Sequence, residues 1–202
     1  MRRKTVYVFL SEEYADWQIS LVMAGLHSFS NIEVITWSLV KEPVCSMGNL
    51  AVLADMSLEE VDPEDVDLLV LPGSPLWETG GNREIIPLIK HLLLLDKGVA
   101  AICGATALLA REGCLDDVRH TSNDAGYLKK LAPGYRGGVM YTHEPATRGG
   151  NVITAGGPYS FQFAREIFDY FGLMEEETFQ EWFQYFREGE KKILRRGTVP
   201  FL

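Results

Sequence analysis

Short apolar runs alternate with helix-like patterns along this chain, which predicts an α/β fold: helices on both faces of a mostly parallel central sheet, a three-layer α/β/α sandwich. Three observations carry that prediction. The apolar runs are continuous instead of alternating, as strands covered on both faces require. They end in turn chemistry, Pro72-Gly73-Ser74-Pro75 after one and Gly156-Gly157-Pro158 after another. A third runs through a cysteine straight into strong helix formers: Val99-Ala100-Ala101-Ile102-Cys103-Gly104-Ala105-Thr106-Ala107-Leu108-Leu109-Ala110.

The elements follow in order. Val6 to Leu10 is expected as the first strand, and about Asp16 to Phe29 as a helix with apolar residues three and four apart. Ile32 to Trp37 is a second strand and Val66 to Leu71 a third. Ile85 to Leu95 reads as a helix, Val99 to Ile102 as a strand, and Ala105 to Arg111 as a helix. Val152 to Ala155 is a late strand, followed by a helix to about Phe171. The segments 41–60 and 135–150 carry Gly48, Gly137, Gly138, Gly149 and Gly150 and predict small hairpins or antiparallel edge additions. From Glu175 onward Phe179, Trp182, Phe183 and Phe186 recur at helical spacing. They predict a terminal helix whose aromatic face docks on the domain, a dimer contact being the second choice. The chain therefore reads as one domain over residues 1–202, with 175–202 a C-terminal helical extension.

Bulk properties narrow the function classes. At 202 residues, with 47% hydrophobic and 23% charged residues, the composition is that of a soluble globular domain. A net charge of -9 argues against nucleic acid held by phosphate contacts, and Lys191-Lys192 with Arg195-Arg196 reads as a solvated helix face or tail. The apolar runs Val6 to Leu10 and His91-Leu92-Leu93-Leu94-Leu95 are too short for a membrane span. Cys45, Cys103 and Cys114 show neither C-x-x-C nor metal-ligand spacing, which predicts a reducing, cytoplasmic setting and no metal. Gly80-Gly81-Asn82 lacks the phosphate-binding glycine pattern, so no cofactor is expected.

Cys103 is the centre of the functional reading. A tight strand-to-helix turn holds its central residue in a strained conformation and presents the side chain above the sheet edge. The amino end of the following helix favours the thiolate. The plain alternative is a small cysteine that only packs. Ligands of open parallel sheets sit beyond the carboxyl ends of the strands, where three further candidates fall. Asp16, in Glu12-Glu13-Tyr14-Ala15-Asp16-Trp17, is either a helix cap or a carboxyl held near the thiolate, protonated there and able to move a proton. Gly73 or Ser74 can join the Gly104 amide in an oxyanion hole, or simply turn the chain. His120 is a general base if it reaches Cys103 and structural if it does not; His143 is a weaker candidate. His27 and His91 lie within helical patterns.

These residues resemble those of the ThiJ/PfpI family of the class I glutamine amidotransferase-like superfamily. The resemblance runs from Val6 to about Gly172. It is anchored on Asp16, Leu71-Pro72-Gly73, Ala101-Ile102-Cys103-Gly104 and Thr154-Ala155-Gly156-Gly157-Pro158, with Tyr14-Ala15-Asp16-Trp17 similar to a variant motif of one bacterial branch. It implies a flavodoxin-like sandwich with Cys103 as nucleophile, Asp16 as the acid, Gly73 and Gly104 at the oxyanion positions, and His120 near the sulfur. It also implies a homodimer acting on a small molecule. Three departures stand out. Gly104 follows the cysteine where peptidase members have histidine, aspartate replaces the more frequent glutamate, and Ser74 stands where a second glycine is common. The first argues against proteolysis, because a peptide leaving group needs a well-placed proton donor.

The resemblance implies a cysteine-dependent enzyme acting on a small reactive carbonyl or amide, glyoxalase- or deglycase-like or amidase-like. In the competing reading Cys103 is a non-catalytic redox or electrophile sensor. A scaffold or chaperone role, indifferent to Cys103, is the third.

Overall fold

A computed structural model describes residues 2–173 and 175–188. The chain begins with β1 (Thr5–Phe9), α1 (Asp16–Phe29) and β2 (Glu33–Ser38). Three two-residue strands follow, β3 (Val44–Cys45), β4 (Ala51–Val52) and β5 (Met56–Ser57). Then come β6 (Leu68–Leu71), α2 (Pro75–Thr79), α3 (Ile86–Leu94), β7 (Gly98–Ile102), α4 (Ala105–Arg111) and α5 (Ala125–Leu131). The last elements are β8 (Ala146–Gly149), β9 (Val152–Ala155), α6 (Ser160–Phe171) and α7 (Glu176–Glu188).

Seven strands form one sheet in the order β5-β2-β1-β6-β7-β9-β8, parallel except for β8, and β3 pairs with β4 in a separate antiparallel hairpin. The architecture is the α/β sandwich expected from the sequence. Side chains of a strand alternate between faces, and both faces here are covered. Val6, Val8, Leu68, Val70, Ala100, Ile102 and Ile153 pack into a core with α1 and α6. Tyr7, Phe9, Leu69, Leu71, Val99 and Ala101 pack on the other face with α3 and α4. The chain leaves β1 toward β2 and later returns to β1's other side with β6, so the strand order reverses beside β1. Crevices at such reversals are where open α/β sheets bind ligands.

Several details depart from the sequence expectations. Segment 41–60 gives the hairpin but also β5, which joins the sheet parallel to β2. The Asp55 carboxylate fixes that edge by accepting from the Thr36 N–H and hydroxyl, at 2.8 and 2.7 Å. The strand expected from Val66 starts at Leu68, because the Asp67 carboxylate instead accepts from the Thr5 N–H at 2.9 Å and from Lys4 Nζ at 3.1 Å. The short helices α2 and α5 have no extended apolar period. Each is started by a cap: Ser74 accepts from the Leu76 N–H and Asp124 from the Tyr127 N–H.

The aromatic face of α7 docks on the domain. Trp182 is 3% exposed, with its ring centroid 5.6 Å from Phe161, 5.8 Å from Phe168 and 6.4 Å from Phe29. The side chain of Phe179, the Lys191-Lys192 and Arg195-Arg196 pairs and the rest of the extension lie outside the described residues. Among the described residues no helix is long and apolar enough to cross a membrane. Trp182→Ala should lower unfolding stability by about 3–5 kcal/mol, the usual cost of deleting a buried tryptophan. Denaturant titration checks this, and a loss within error of zero would mean that α7 adds nothing to the fold.

Candidate active site

The site is built where β7 turns into α4. Cys103 has φ of 59°, in the left-handed region, which costs a non-glycine residue on the order of 1–3 kcal/mol. The ladder extends into this residue. Its N–H donates to the Ala155 carbonyl at 3.0 Å, one step beyond the last β7–β9 pair. Its carbonyl accepts from the Thr106 N–H at 3.2 Å and from the Thr106 hydroxyl at 2.6 Å. The Thr106 hydroxyl in turn pairs with Ser122 Oγ at 2.6 Å. With its backbone held on both sides, the partly exposed Cys103 side chain stands at the carboxyl edge of the sheet.

Two glycines make room for the sulfur. A Cβ on Gly73 would lie 2.9 Å from Cys103 Cβ, and one on Gly157 would lie 3.0 Å from Cys103 Sγ. The loops after β6 and β9 therefore approach the cysteine as bare backbone. Gln18, 1% exposed, ties these loops together from α1. Its Oε1 accepts from the Gly73 N–H at 2.8 Å and its Nε2 donates to the Gly157 carbonyl at 3.3 Å. Asn123 completes the wall. Its Nδ2 donates to Cys103 Sγ at 3.6 Å while its Oδ1 accepts from the Gly157 N–H at 2.8 Å.

Asp16, expected as a protonated acid beside the thiolate, is engaged elsewhere. Its Oδ2 accepts from Ser46 Oγ at 2.6 Å and from the Gly48 N–H at 3.1 Å, and its Oδ1 accepts from the Trp17 N–H. These bonds, led by that from Ser46, hold its pKa below the usual carboxylate value, so it is an ionised anchor for the loop after β3. Gln18 is the α1 side chain at the sulfur pocket. The signal was its place on the helix: Gln18, Val22, Gly25 and Leu26 share the buried stripe of α1, and Asp16 is off it.

His120, expected as a base, is fully buried with both ring nitrogens engaged, Nδ1 with the Val118 carbonyl at 2.7 Å and Nε2 with Tyr135 Oη at 2.5 Å. Nδ1–H must be the donor to a carbonyl, which leaves Nε2 to accept from the phenol. Burial lowers its pKa, and edge-on contacts with Tyr135 and Tyr141 wedge it into the fold. His143 packs edge-on against Tyr141; His27 and His91 lie in α1 and α3.

The Gly73 amide, expected as an oxyanion donor, is taken by Gln18. Among the described residues the buried Ser74 and Gly104 N–H groups have no acceptor within the chain. Ser74 Oγ donates to the Glu12 carbonyl at 2.8 Å, fixing the turn that carries its amide. Asn123 was missed in the sequence because Thr121-Ser122-Asn123-Asp124 reads only as a loop entering a helix. Among the described residues no group of three or more His, Cys, Asp and Glu side chains is placed to hold a metal ion.

An α/β sandwich with a strained cysteine at the end of a central strand defines a class of nucleophile-elbow proteins. Within it, this chain belongs to the DJ-1/PfpI family, whose match spans residues 4–170. Bacillus subtilis has a relative named uncharacterized protease YoaZ, 31% identical over 191 residues, with 91% of each chain covered. A Pyrococcus abyssi protein named a deglycase is 32% identical over 91 residues, covering 45% of this chain and 55% of its own. The crystal structure of the DJ-1 superfamily protein Atu0886 from Agrobacterium tumefaciens is similar with a TM-score of 0.84 and 35% identity, over 93% of this chain and all (100%) of that one.

Two measurements test this geometry. A carboxylate at position 18 cannot donate to the Gly157 carbonyl, so the fold will keep Gln18→Glu protonated, with a raised pKa. The unfolded chain releases that proton above about pH 4.3, so Gln18→Glu should match wild type near pH 4 and lose about 1–3 kcal/mol by pH 8. Equal melting temperatures for the two proteins at pH 8 would remove the bridge from the argument. His120 carries the opposite sign of pH dependence. Its folded pKa is depressed, so the unfolded chain binds more protons below about pH 6.5 and stability falls as pH drops through that value. Thermal melts between pH 7.5 and 5 should show a shallower slope in His120→Gln than in wild type; identical slopes would contradict the assignment.

Proposed function

We propose that this protein is a cysteine-dependent enzyme acting on a small reactive carbonyl, a 2-oxoaldehyde in the first place. The observation that carries this reading is Cys103 at φ 59° beside the amides of two buried residues, Ser74 and Gly104, that have no acceptor among the described residues. Attack by the thiolate forms the S–C bond and breaks the carbonyl π bond, whose electron pair passes to oxygen. The Ser74 and Gly104 amides are then the donors for that oxyanion, in a pocket walled by neutral amides.

The sulfur's polar neighbours favour an aldehyde over an amide. Gln18 and Asn123 cannot protonate a leaving group, Asp16 is bound to Ser46 and Gly48, and His120 has no free nitrogen. An aldehyde adduct has no leaving group to protonate, whereas amide and peptide cleavage does. Gly104 also stands directly after the cysteine, where the resemblance to peptidase members would place the histidine of a Cys–His pair. The deglycase name of the Pyrococcus relative is in keeping with this substrate class.

The test is turnover of methylglyoxal and phenylglyoxal to their 2-hydroxy acids, a conversion that consumes one water and needs no external oxidant. Wild type should turn over repeatedly, and Cys103→Ser should be slower by at least about 100-fold, as for loss of an essential nucleophile. Stoichiometric modification of Cys103 without turnover would replace this reading with that of an electrophile or redox sensor.

A further inference from the structure

We propose that a cavity at the carboxyl ends of β1 and β2 is a second binding site, for a small neutral molecule with an apolar body and one carbonyl oxygen. The proposal is independent of the chemistry of Cys103. Leu10, directly after β1, Ser38, at the end of β2, and Leu76, in α2 after β6, all line the cavity. Because β2 and β6 flank β1 on opposite sides, the loops leaving these strands diverge here. Such reversals open the crevices in which α/β sheets bind ligands. Gly73, Gly157 and Asn123, which stand against the Cys103 sulfur, line no part of it. The cavity does abut the turn that carries the Ser74 amide. Ser74 Oγ donates to the carbonyl of Glu12, a lining residue, at 2.8 Å and accepts from the Leu76 N–H at 3.2 Å.

The walls define the ligand. Leu10, Leu39, Val40, Pro43, Val44 and Leu76 supply apolar surface around about 210 Å³, and an apolar protein cavity of roughly 150 Å³ holds benzene. Asn82 is the polar exception. It is 7% exposed, and its Nδ2 has no hydrogen-bond partner among the described residues. An asparagine at the start of a helical turn ordinarily caps it, yet Asn82 makes no capping bond to the turn Arg83–Ile85 that it begins. Its φ of 56° suits asparagine and glycine alike, so the backbone does not require the amide. A buried donor without an acceptor is costly, and a ligand oxygen recovers that bond. The two lining serines are already engaged, Ser38 Oγ donating to the Val40 carbonyl at 2.5 Å and Ser11 Oγ to the Glu12 carbonyl at 3.4 Å. The charged lining residues are Glu12 and Glu42, which repel an anion. A neutral carbonyl compound satisfies all of these walls.

The experiment titrates acetophenone, and separately its near-isostere isopropylbenzene, into the ¹⁵N-labelled protein and follows the amide signals by NMR. Acetophenone should shift the backbone amides of Leu39, Val40 and Leu76 and the side-chain NH₂ signals of Asn82 saturably, leaving those of Gly73 and Gly157 in place. Isopropylbenzene, which lacks the oxygen, should bind at least about fivefold more weakly. In Asn82→Gly, which keeps the backbone conformation and removes the amide, that preference should disappear. Absence of a saturable shift overturns the site, as does movement of the Gly73 and Gly157 signals instead, which places the probe against Cys103. Equal affinity of wild type for the two probes, or a preference that survives Asn82→Gly, overturns recognition by Asn82. The comparison of probes on wild type decides the matter even if Asn82→Gly does not fold.

Discussion

The hydrogen bond from the Cys103 N–H to the Ala155 carbonyl is the constraint around which this site is arranged. It carries the sheet one residue past the last regular pair of β7 and β9, into a backbone conformation that side chains avoid. A residue at φ 59° persists only where its surroundings leave it no alternative. Here the strand fixes the N–H, Thr106 fixes the carbonyl, and two loops enclose the side chain. The Cys103 side chain thereby takes its position from the buried strands of the sheet, although it is itself partly exposed.

The loops around the sulfur come from elements far apart in sequence, and two side-chain amides unite them. Gln18 joins the loops after β6 and β9, while Asn123 joins the β9 loop to the sulfur. Amides suit this position because each can donate and accept at once and neither adds charge beside the sulfur. The acidic and imidazole side chains nearby in sequence have structural work instead. Asp16 anchors the loop after β3, and His120 is wedged between Tyr135 and Tyr141.

Much of this arrangement was legible in the sequence. The strands with continuous apolar runs, the long helices and the elbow at Cys103 announce themselves because burial on both faces and a strand-to-helix turn impose strong local patterns. The parallel β5 and the short helices α2 and α5 did not, since single capping contacts made by Asp55, Ser74 and Asp124 decide them. At the site, local reasoning chose the titratable residue nearest in type, Asp16, over the neutral Gln18 two positions later. Helical phase separates them: Gln18 lies on the stripe that packs inward. His120 shows the other limit. Its engagement depends on Tyr135, fifteen positions away, which no spacing rule connects to it.

The edges of the sheet have a consequence of their own. Exposed edge strands offer unpaired backbone groups that can recruit strands from other chains. One edge here is β5, only two residues long, and the other is β8, which reverses direction and carries Arg148 in its middle. Neither provides a long, flat template for a foreign strand. A partially unfolded molecule that kept this sheet would be poorly suited to seeding fibrillar growth through these two edges.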